Sequence, residues 1–401
     1  MMRLSQRASQ LKASPTLKLA ARAKELATQG HDVISLTVGE PDWPTYPCIS
    51  QAGHEAIDKN ITKYTPANGT PDLRKAIAKR VHEDLGVEFG LQQVVVGPGT
   101  KFIIFSALQV LCNPGDEVIL QAPYWVSYPT MIELSGGRPA VVKAQAENHF
   151  KLSAREFEKA ITPKTKAFLF CSPSNPTGMH YTKKELQEFV EVLRKHPQIV
   201  VLSDDIYNRL LLTGERVAPH LLHLAPDLKD RVISFNGGSK AYSMTGWRIG
   251  WATGPQDIIQ AIGDYQSQAT GAPSSISQHA LLTALEKCEP DIEKTLKVLI
   301  HRKTLAIKLL QKIPKVQVHE PTGAFYIWLD VSAYLNRRYE GQVLEDDRQI
   351  SQILLEKYYV GTVPGLEAGV NGFLRLSFAV EDQRLEEACR RMDRFFSSLS
   401  S

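Results

Sequence analysis

The sequence predicts an α/β protein: a large domain with a mainly parallel sheet and helices on both faces, and a smaller α+β domain. Three observations carry this. From about residue 92 to residue 254, short apolar runs alternate with longer helical patterns. The apolar runs have few polar interruptions, which marks strands buried on both faces. Towards the C-terminus the alternation gives way to a long helix followed by two further strands. The large domain is expected over residues 46–290. Residues 1–45 and 291–401 together form the smaller one.

Each element follows in order. "QQVVVGPGT" reads as a strand meeting the helix "KFIIFSALQVL". "DEVILQAP" is the next strand, followed by the helical "YWVSYPTMIELSGG". "PAVVKA", the helix "AREFEKAI" and the strand "TKAFLFCSP" come next. The amphipathic "TKKELQEFVEVLRKH" leads into the strand "QIVVLSDD". "DRVISFNGG" and "WRIGWATG" complete the set. Apolar strands joined by crossover helices make a parallel sheet, and such sheets bind ligands at the carboxyl ends of their strands. In the tail, the helix "TLKVLIHRKTLAIKLLQKI" precedes the strands "GAFYIWLDVS" and "FLRLSFAV". The N-terminal helix near residues 14 to 30 is expected to join this part, and the polar "RRYEGQVLEDDR" reads as a surface insertion.

Composition limits the function. Hydrophobic residues make up 43% of the 401 and charged residues 22%, the balance of an ordinary globular protein. A net charge of +4, from 47 basic and 43 acidic residues, gives no basic excess of the kind nucleic-acid binding rests on. No apolar run reaches membrane-spanning length. Neither nucleic acid nor a membrane is therefore expected as a partner, and a cytoplasmic location is. The basic, serine-containing start "MMRLSQRASQLK" resembles a transit peptide in composition. It runs straight into the helical "SPTLKLAARAKELATQG", so it is read as part of the fold. The five cysteines form no CxxC pair and are read as reduced, mostly buried thiols. The histidines show no HExxH pattern, and no metal site is expected.

Polar residues of particular types stand where the strands end. "VVVGPGTKF" passes from strand to helix through Gly97, Pro98, Gly99, Thr100 and Lys101. Free amides at a helix start suit a phosphate. The stretch is neither a P-loop nor a dinucleotide fingerprint, because GxxxxGK[ST] is absent and Phe102 stands where a third glycine would. "CSPSNPTG" places Asn175 before Pro176. "QIVVLSDDIY" ends an apolar strand with Asp204 and Asp205, with Tyr207 just beyond, and a carboxylate there is costly unless paired. "SFNGGSKAYSMTGWRIGW" sets Lys240 in a loop of small residues and Arg248 among apolar ones, where an arginine needs an anionic partner.

Taken together these residues describe a pyridoxal phosphate site. A lysine amine forms Schiff bases with carbonyls. A pyridinium nitrogen wants a carboxylate partner, here Asp204. A phosphate wants an arginine and a set of amides, here Arg248 and the Gly99–Thr100–Lys101 turn. A flat ring wants an aromatic to stack upon, here Trp125 of "PYWVSYP".

The chain resembles the class I aminotransferases of fold type I, most closely the bacterial aspartate aminotransferase subgroup. The resemblance runs through "LTVGEPDWPT", "KYTPANGTPDLRKAIA", "SPSNPTG", "SDDIY", "SKAYSMTGWRIGWATGP", "PTGAFYIWLDVS" and "FLRLSFA". It implies a homodimer with shared active sites. It implies that Asn175 and Tyr207 face the cofactor's phenolic oxygen and that Ser239 joins Arg248 at the phosphate. Tyr64 would reach that phosphate from the neighbouring subunit. Arg375 would bind the substrate's α-carboxylate, with Trp125 and Asn175 also bordering the substrate. Gly39 would lie on the loop that closes over it. The implied reaction is ping-pong transamination between an amino acid and a 2-oxo acid such as 2-oxoglutarate, with Lys240 as general base and Asp204 keeping the ring nitrogen protonated.

Substrate choice follows from residues at matching positions. In this subgroup a lysine at the start of the phosphate-turn helix and hydroxyls on the N-terminal helix meet a second carboxylate. Lys101, Ser14 and Thr16 stand there, so an acidic amino acid is expected. Relatives acting on aromatic amino acids, kynurenine or prephenate share most of these residues. The same fold also supports β-lyases and non-enzymatic regulators. Three departures stand out: Asp205 replaces the usual glutamate, Gly237 replaces a hydroxyl or alanine residue, and "PGLEAGVNG" before Arg375 is unusual.

Overall fold

Fifteen strands can be numbered among the residues that the computed structural model describes, which are Ser5, Ala8 and residues 15–399 apart from the side chain of Thr16. They are β1 (Ile34–Ser35), β2 (Val94–Gly97), β3 (Glu117–Ala122), β4 (Arg138–Lys143), β5 (Thr165–Cys171), β6 (Val200–Asp204), β7 (Val232–Gly237), β8 (Gly250–Thr253), β9 (Gln317–His319), β10 (Tyr326–Asp330), β11 (Arg338–Tyr339), β12 (Gln342–Val343), β13 (Val360–Gly361), β14 (Val363–Pro364) and β15 (Phe373–Ser377). Seven of them form the central sheet in the order β2-β8-β7-β6-β5-β3-β4.

The central sheet is mainly parallel, as the apolar runs predict. β3 pairs in parallel with β4 and β5, β5 with β6, and β6 with β7. β8 alone runs against both of its neighbours, β2 and β7. Its reversal matters for the site. β2 and β7 end at one edge of the sheet with Gly97 and Gly237, and β8 begins at that edge with Gly250. The residues just before β8 therefore join the carboxyl ends of the parallel strands. Arg248 is among them, and the reading of it as a strand residue is corrected. Thr245–Trp247 form a 3-10 turn, and Arg248 takes a left-handed φ of 52° before the strand starts.

Local sequence explains the helices around the sheet. Ser153 and Thr182 each cap a helix by accepting the N–H of a glutamate three residues on, Glu156 and Glu185. The helix expected from "YWVSYPTMIELSGG" is confined to Tyr128–Leu134, with proline in its first turn. The helix Thr100–Leu111 starts hard against the sheet. A Cβ on Gly237 would lie 2.5 Å from Thr100 Oγ1, and one on Gly250 2.6 Å from Thr100 N. These glycines let the helix start approach the strand ends, and Thr100 fixes the contact by donating to the Asn236 carbonyl at 2.9 Å. Gly237, a departure from the family's usual residue, is one of them.

Both chain ends build the second part. β14, β15, β10 and β9 form an antiparallel sheet in that order. β1 pairs in parallel with β13, Ile34 opposite Val360. The helix Pro15–Thr28 packs Ala23 and Leu26 against Leu355. "RRYEGQVLEDDR" folds into the β11–β12 hairpin, turning at Glu340 and Gly341, both at positive φ. It is more than a surface insertion, since Leu344 and Asp347 are buried. The carboxylate of Asp347 accepts from the amides of Leu366 at 3.2 Å, Gly372 at 2.7 Å and Phe373 at 3.1 Å. That clamp shapes the "PGLEAGVNG" loop and leads it into β15, which carries Arg375. Among the described residues, no helix is long and apolar enough to cross a membrane.

Candidate active site

A cavity of about 290 Å³ opens at the carboxyl edge of the central sheet. Its lining includes Gly39, Thr100, Lys101, Trp125, Asn175, Asp204, Tyr207, Ser239, Lys240, Arg248 and Arg375. Residues far apart in sequence thus meet where the strands end.

Lys240 lies in the loop after β7. Its Nζ donates to the carbonyl of Gly39 and lies 5.9 Å from the ring centres of Tyr207 and Phe325. Burial pushes its amine down to about 8, and the Arg375 charge acts in the same direction. A lysine so placed is roughly a tenth free amine at pH 7, where an ordinary lysine is almost wholly protonated, and a nucleophile or base requires the free amine.

Asp204 ends β6 and is buried. Its Oδ2 accepts the hydroxyl of Tyr128 at 2.5 Å, and its Oδ1 the Ile206 amide at 3.3 Å. Burial pushes the carboxyl up to about 6, while those two hydrogen bonds pull it back. Asp205, beside it, points elsewhere: Ser203 donates to it at 2.7 Å, Ser234 also donates to it, and His220 Nε2 lies at 3.3 Å. The shorter acid that replaces the usual glutamate is thereby tied into the sheet.

Two cations lie close together in the cavity. Arg248 Nη1 donates to the Thr245 carbonyl at 2.8 Å, and a Cβ on Gly99 would lie 2.6 Å from Arg248 Nη2. Gly99 at φ 95° is thus the one residue type that tolerates both the turn and the guanidinium. Lys101 donates to Ser127 Oγ at 3.0 Å and lies 5.1 Å from the Trp125 ring centre. The residue is partly exposed, but its ammonium is pushed down by desolvation and by Arg248. Two like charges, free amides at a helix start and a glycine cradle ask for an anion.

Arg375 occupies β15 and is buried. Nη1 donates to Asn175 Oδ1 at 2.9 Å, Nη2 donates to the Thr37 carbonyl, and Nε has no partner. The guanidinium lies 4.5 Å from the Tyr326 ring centre. A buried guanidinium with only neutral partners, and with two of its five N–H donors engaged by them, is suited to a carboxylate.

The cavity brings together most of the residues expected from the sequence. Gly99 lies behind the lining, against Arg248. Tyr64 is fully exposed on this chain and does not line the cavity. Ser14 and the side chain of Thr16 lie outside the described residues. Four contributors were missed. Tyr128 holds Asp204, and its position three residues after Trp125 was the only clue. Tyr326 shares a 2.8 Å hydroxyl contact with Tyr207. Glu40 accepts from Thr245 Oγ1 at 2.9 Å at the cavity wall. The Thr37 carbonyl is a backbone group that no side-chain pattern announces.

The residue set fits pyridoxal phosphate: a depressed lysine amine, a buried carboxylate, paired cations beside helix amides, and unspent arginine donors. Comparison with known proteins gives the family. Residues 31–392 match the family described as aminotransferase class I and II. The chain is 42% identical over 399 residues to an aspartate/prephenate aminotransferase of Cereibacter sphaeroides, with 99% of each chain covered. It superposes on the aspartate aminotransferase of Rhizobium meliloti with a TM-score of 0.95 at 37% identity, covering 100% of both chains. The Thermus thermophilus aspartate aminotransferase with maleate gives a TM-score of 0.91 at 35% identity, covering 98% of this chain and 100% of that one.

Proposed function

Because the chain belongs to the class I and II aminotransferases, we propose that it uses pyridoxal 5'-phosphate to move an amino group from an acidic amino acid, aspartate first, to a 2-oxo acid such as 2-oxoglutarate. The observation that carries this reading is the convergence of Lys240, Asp204 and Arg375 in one cavity at the strand ends. The cofactor, when bound, supplies an aldehyde that takes up and passes on an amino group and a ring that accepts an electron pair.

The chain's own residues supply the rest. Arg248, Ser239 and the amides of the Gly99–Thr100–Lys101 turn would hold the phosphate. Trp125 would cover one ring face, and Asn175 and Tyr207 would face the phenolic oxygen. Asp204 would hold a proton at the ring nitrogen, kept in place by Tyr128. Lys240 takes the α-proton of the amino acid and returns it during transfer. Arg375 orients the substrate by its α-carboxylate, and the loop at Gly39 excludes water above it. The partner subunit's Tyr64 would complete the phosphate site in a homodimer, which accounts for its full exposure on one chain. We place the division between the cofactor-holding unit and the second unit at residues 46–290 against 1–45 and 291–401. The pairing of Ile34 with Val360 supports it.

Lys101 is assigned to the distal carboxylate of a dicarboxylic substrate, and Ser14 and Thr16, from their sequence positions alone, to the same carboxylate. Support for Lys101 comes from its place in the cavity lining and its partly desolvated ammonium. Further support is the dicarboxylate maleate named with the Thermus thermophilus structure. The Cereibacter sphaeroides relative is named for prephenate as well, so prephenate belongs among the acceptors tested. The test is a screen of amino donors against 2-oxoglutarate, oxaloacetate and prephenate, followed by borohydride treatment and peptide mapping. Aspartate should lead the donors, and borohydride should fix the cofactor to Lys240. Ammonia release without an aminated product, or an adduct on another lysine, would overturn the reading.

A further inference from the structure

Cys48 and Cys288 stand apart from the cavity, and nothing in the transfer reaction uses them. Cys48 is the second residue of the helix Pro47–Asp58. Cys288 sits at the junction of the helices Ser275–Lys287 and Glu289–Leu310. The first helix packs along Ser275–Lys287. This brings the two sulfur atoms to 2.6 Å, with the Asp291 carboxylate close by. Cys48 is half-buried and Cys288 buried.

We propose that Cys48 and Cys288 are a redox-modification site, where a peroxide converts the two thiols into a reversible disulfide. The bond would close the whole central sheet into one covalent ring, because β2 to β8 all lie between these cysteines. It would also join the chain just inside the two boundaries proposed above for the cofactor-holding unit. The segment before Cys48 bears Gly39 and Asp42. The helix after Cys288 bears Arg302, which already bonds Asp42 at 2.7 Å.

The chemistry balances with the peroxide as sole oxidant. Cys48, the more accessible thiol, attacks the peroxide O–O bond. Its sulfur gains a hydroxyl as a sulfenic acid, and the other oxygen leaves as water or alcohol. Cys288 sulfur then attacks Cys48 sulfur. The S–S bond forms, the S–O bond breaks, and the thiol proton of Cys288 leaves with the hydroxyl as water. Burial and the neighbouring thiol keep that proton on Cys288 until this step.

A metal held by the same three residues is the competing occupant. Zinc binds thiolates at about 2.3 Å in a tetrahedron, which holds two sulfurs roughly 3.8 Å apart. The bonded S–S distance is about 2.05 Å. The observed 2.6 Å contact lies nearer the bond.

The test uses the holoenzyme, reduced and freed of reductant, then exposed to a small excess of hydrogen peroxide. Thiols counted in denaturant should fall from five to three, and dithiothreitol should restore five. Non-reducing peptide mapping should join Cys48 to Cys288 within one chain. Tm should rise by roughly 5 °C on oxidation. Cys48→Ser and Cys288→Ala should each lose the linked peptide and the Tm rise, and Cys389→Ser should keep both. Three outcomes on the wild-type chain overturn the proposal: five persisting thiols, a Cys48–Cys48 link between chains, or sulfinic acid at Cys48 in place of the bond. A fourth is stoichiometric zinc, removable by chelator, that keeps both thiols reduced.

Discussion

Tyr128 donates its hydroxyl to Asp204 at 2.5 Å, and both side chains are buried at the end of β6. This bond partly offsets the burial that drives the Asp204 carboxyl up to about 6. Hydrogen bonds to charged groups contribute about 1.5–3 kcal/mol. Tyr128→Phe should therefore raise the Asp204 pKa further. In the apo protein the Asp204 carboxyl, followed by carbon-13 NMR, should titrate about one unit or more higher. An unmoved titration would show that Tyr128 only fills space.

Asp204 also sets a stability cost on the chain without cofactor. Its folded pKa, about 6, is raised from 3.8. The stabilising protonated form is fully present below the unfolded value and lost as pH rises through the folded one. Stability should thus decline between about pH 4 and pH 6. Asp204→Asn should remove that decline and leave the apo chain more stable at pH 7 by on the order of 2–3 kcal/mol, while abolishing transfer. Denaturation at pH 4 and pH 7 compares the two chains. Parallel pH dependence would refute the assignment of the shifted carboxyl.

Lys240 should be the most readily acylated lysine in the cavity. In the apo protein, mass-spectrometric acylation profiles should place its midpoint near pH 8, the value burial and Arg375 give it. Arg375→Ala should move that midpoint upward. Lys240→Ala should lose at least the roughly 10²–10⁴-fold that general-base catalysis contributes.

Arg375→Ala removes one side of a buried charge pair, a loss of roughly 2–5 kcal/mol. Catalytic efficiency should fall about 30- to several-thousand-fold. Cofactor absorbance should persist, because Arg248 and the helix amides are untouched. Loss of the cofactor instead would place Arg375 in its binding.

Lys101→Ala separates two roles for one ammonium. A desolvated pair with a distal carboxylate is worth about 2–5 kcal/mol, and a solvated one about 0–1. Efficiency with aspartate should fall far more than with phenylalanine. Equal losses on the two substrates, with weaker cofactor retention, would assign Lys101 to the phosphate together with Arg248.

The apolar strands made the sheet legible, and the polar residues at their ends made the site legible. The exceptions have physical causes. "WRIGWATG" reads as one strand, yet tertiary contacts hold Arg248 in a left-handed turn and begin β8 at Gly250. Tyr128 looks like any core aromatic until its hydroxyl is seen against Asp204. Thr37 contributes a carbonyl, which every residue has. "RRYEGQVLEDDR" looks solvated because its charges outnumber Leu344, and the burial of Asp347 is visible only from the amides that converge on it.

The parallel pairing of Ile34–Ser35 with Val360–Gly361 has a consequence for how the protein is made. Ile34 and Ser35 leave the ribosome long before their partners Val360 and Gly361. Every strand of the central sheet lies between them and is made in the interval. A nascent chain can therefore present Lys240, Asp204 and Arg248 while Thr37 and Gly39 still await β13 and β15. Arg375, which seats on the Thr37 carbonyl, emerges last of the site residues. The substrate end of the cavity thus forms after the cofactor end.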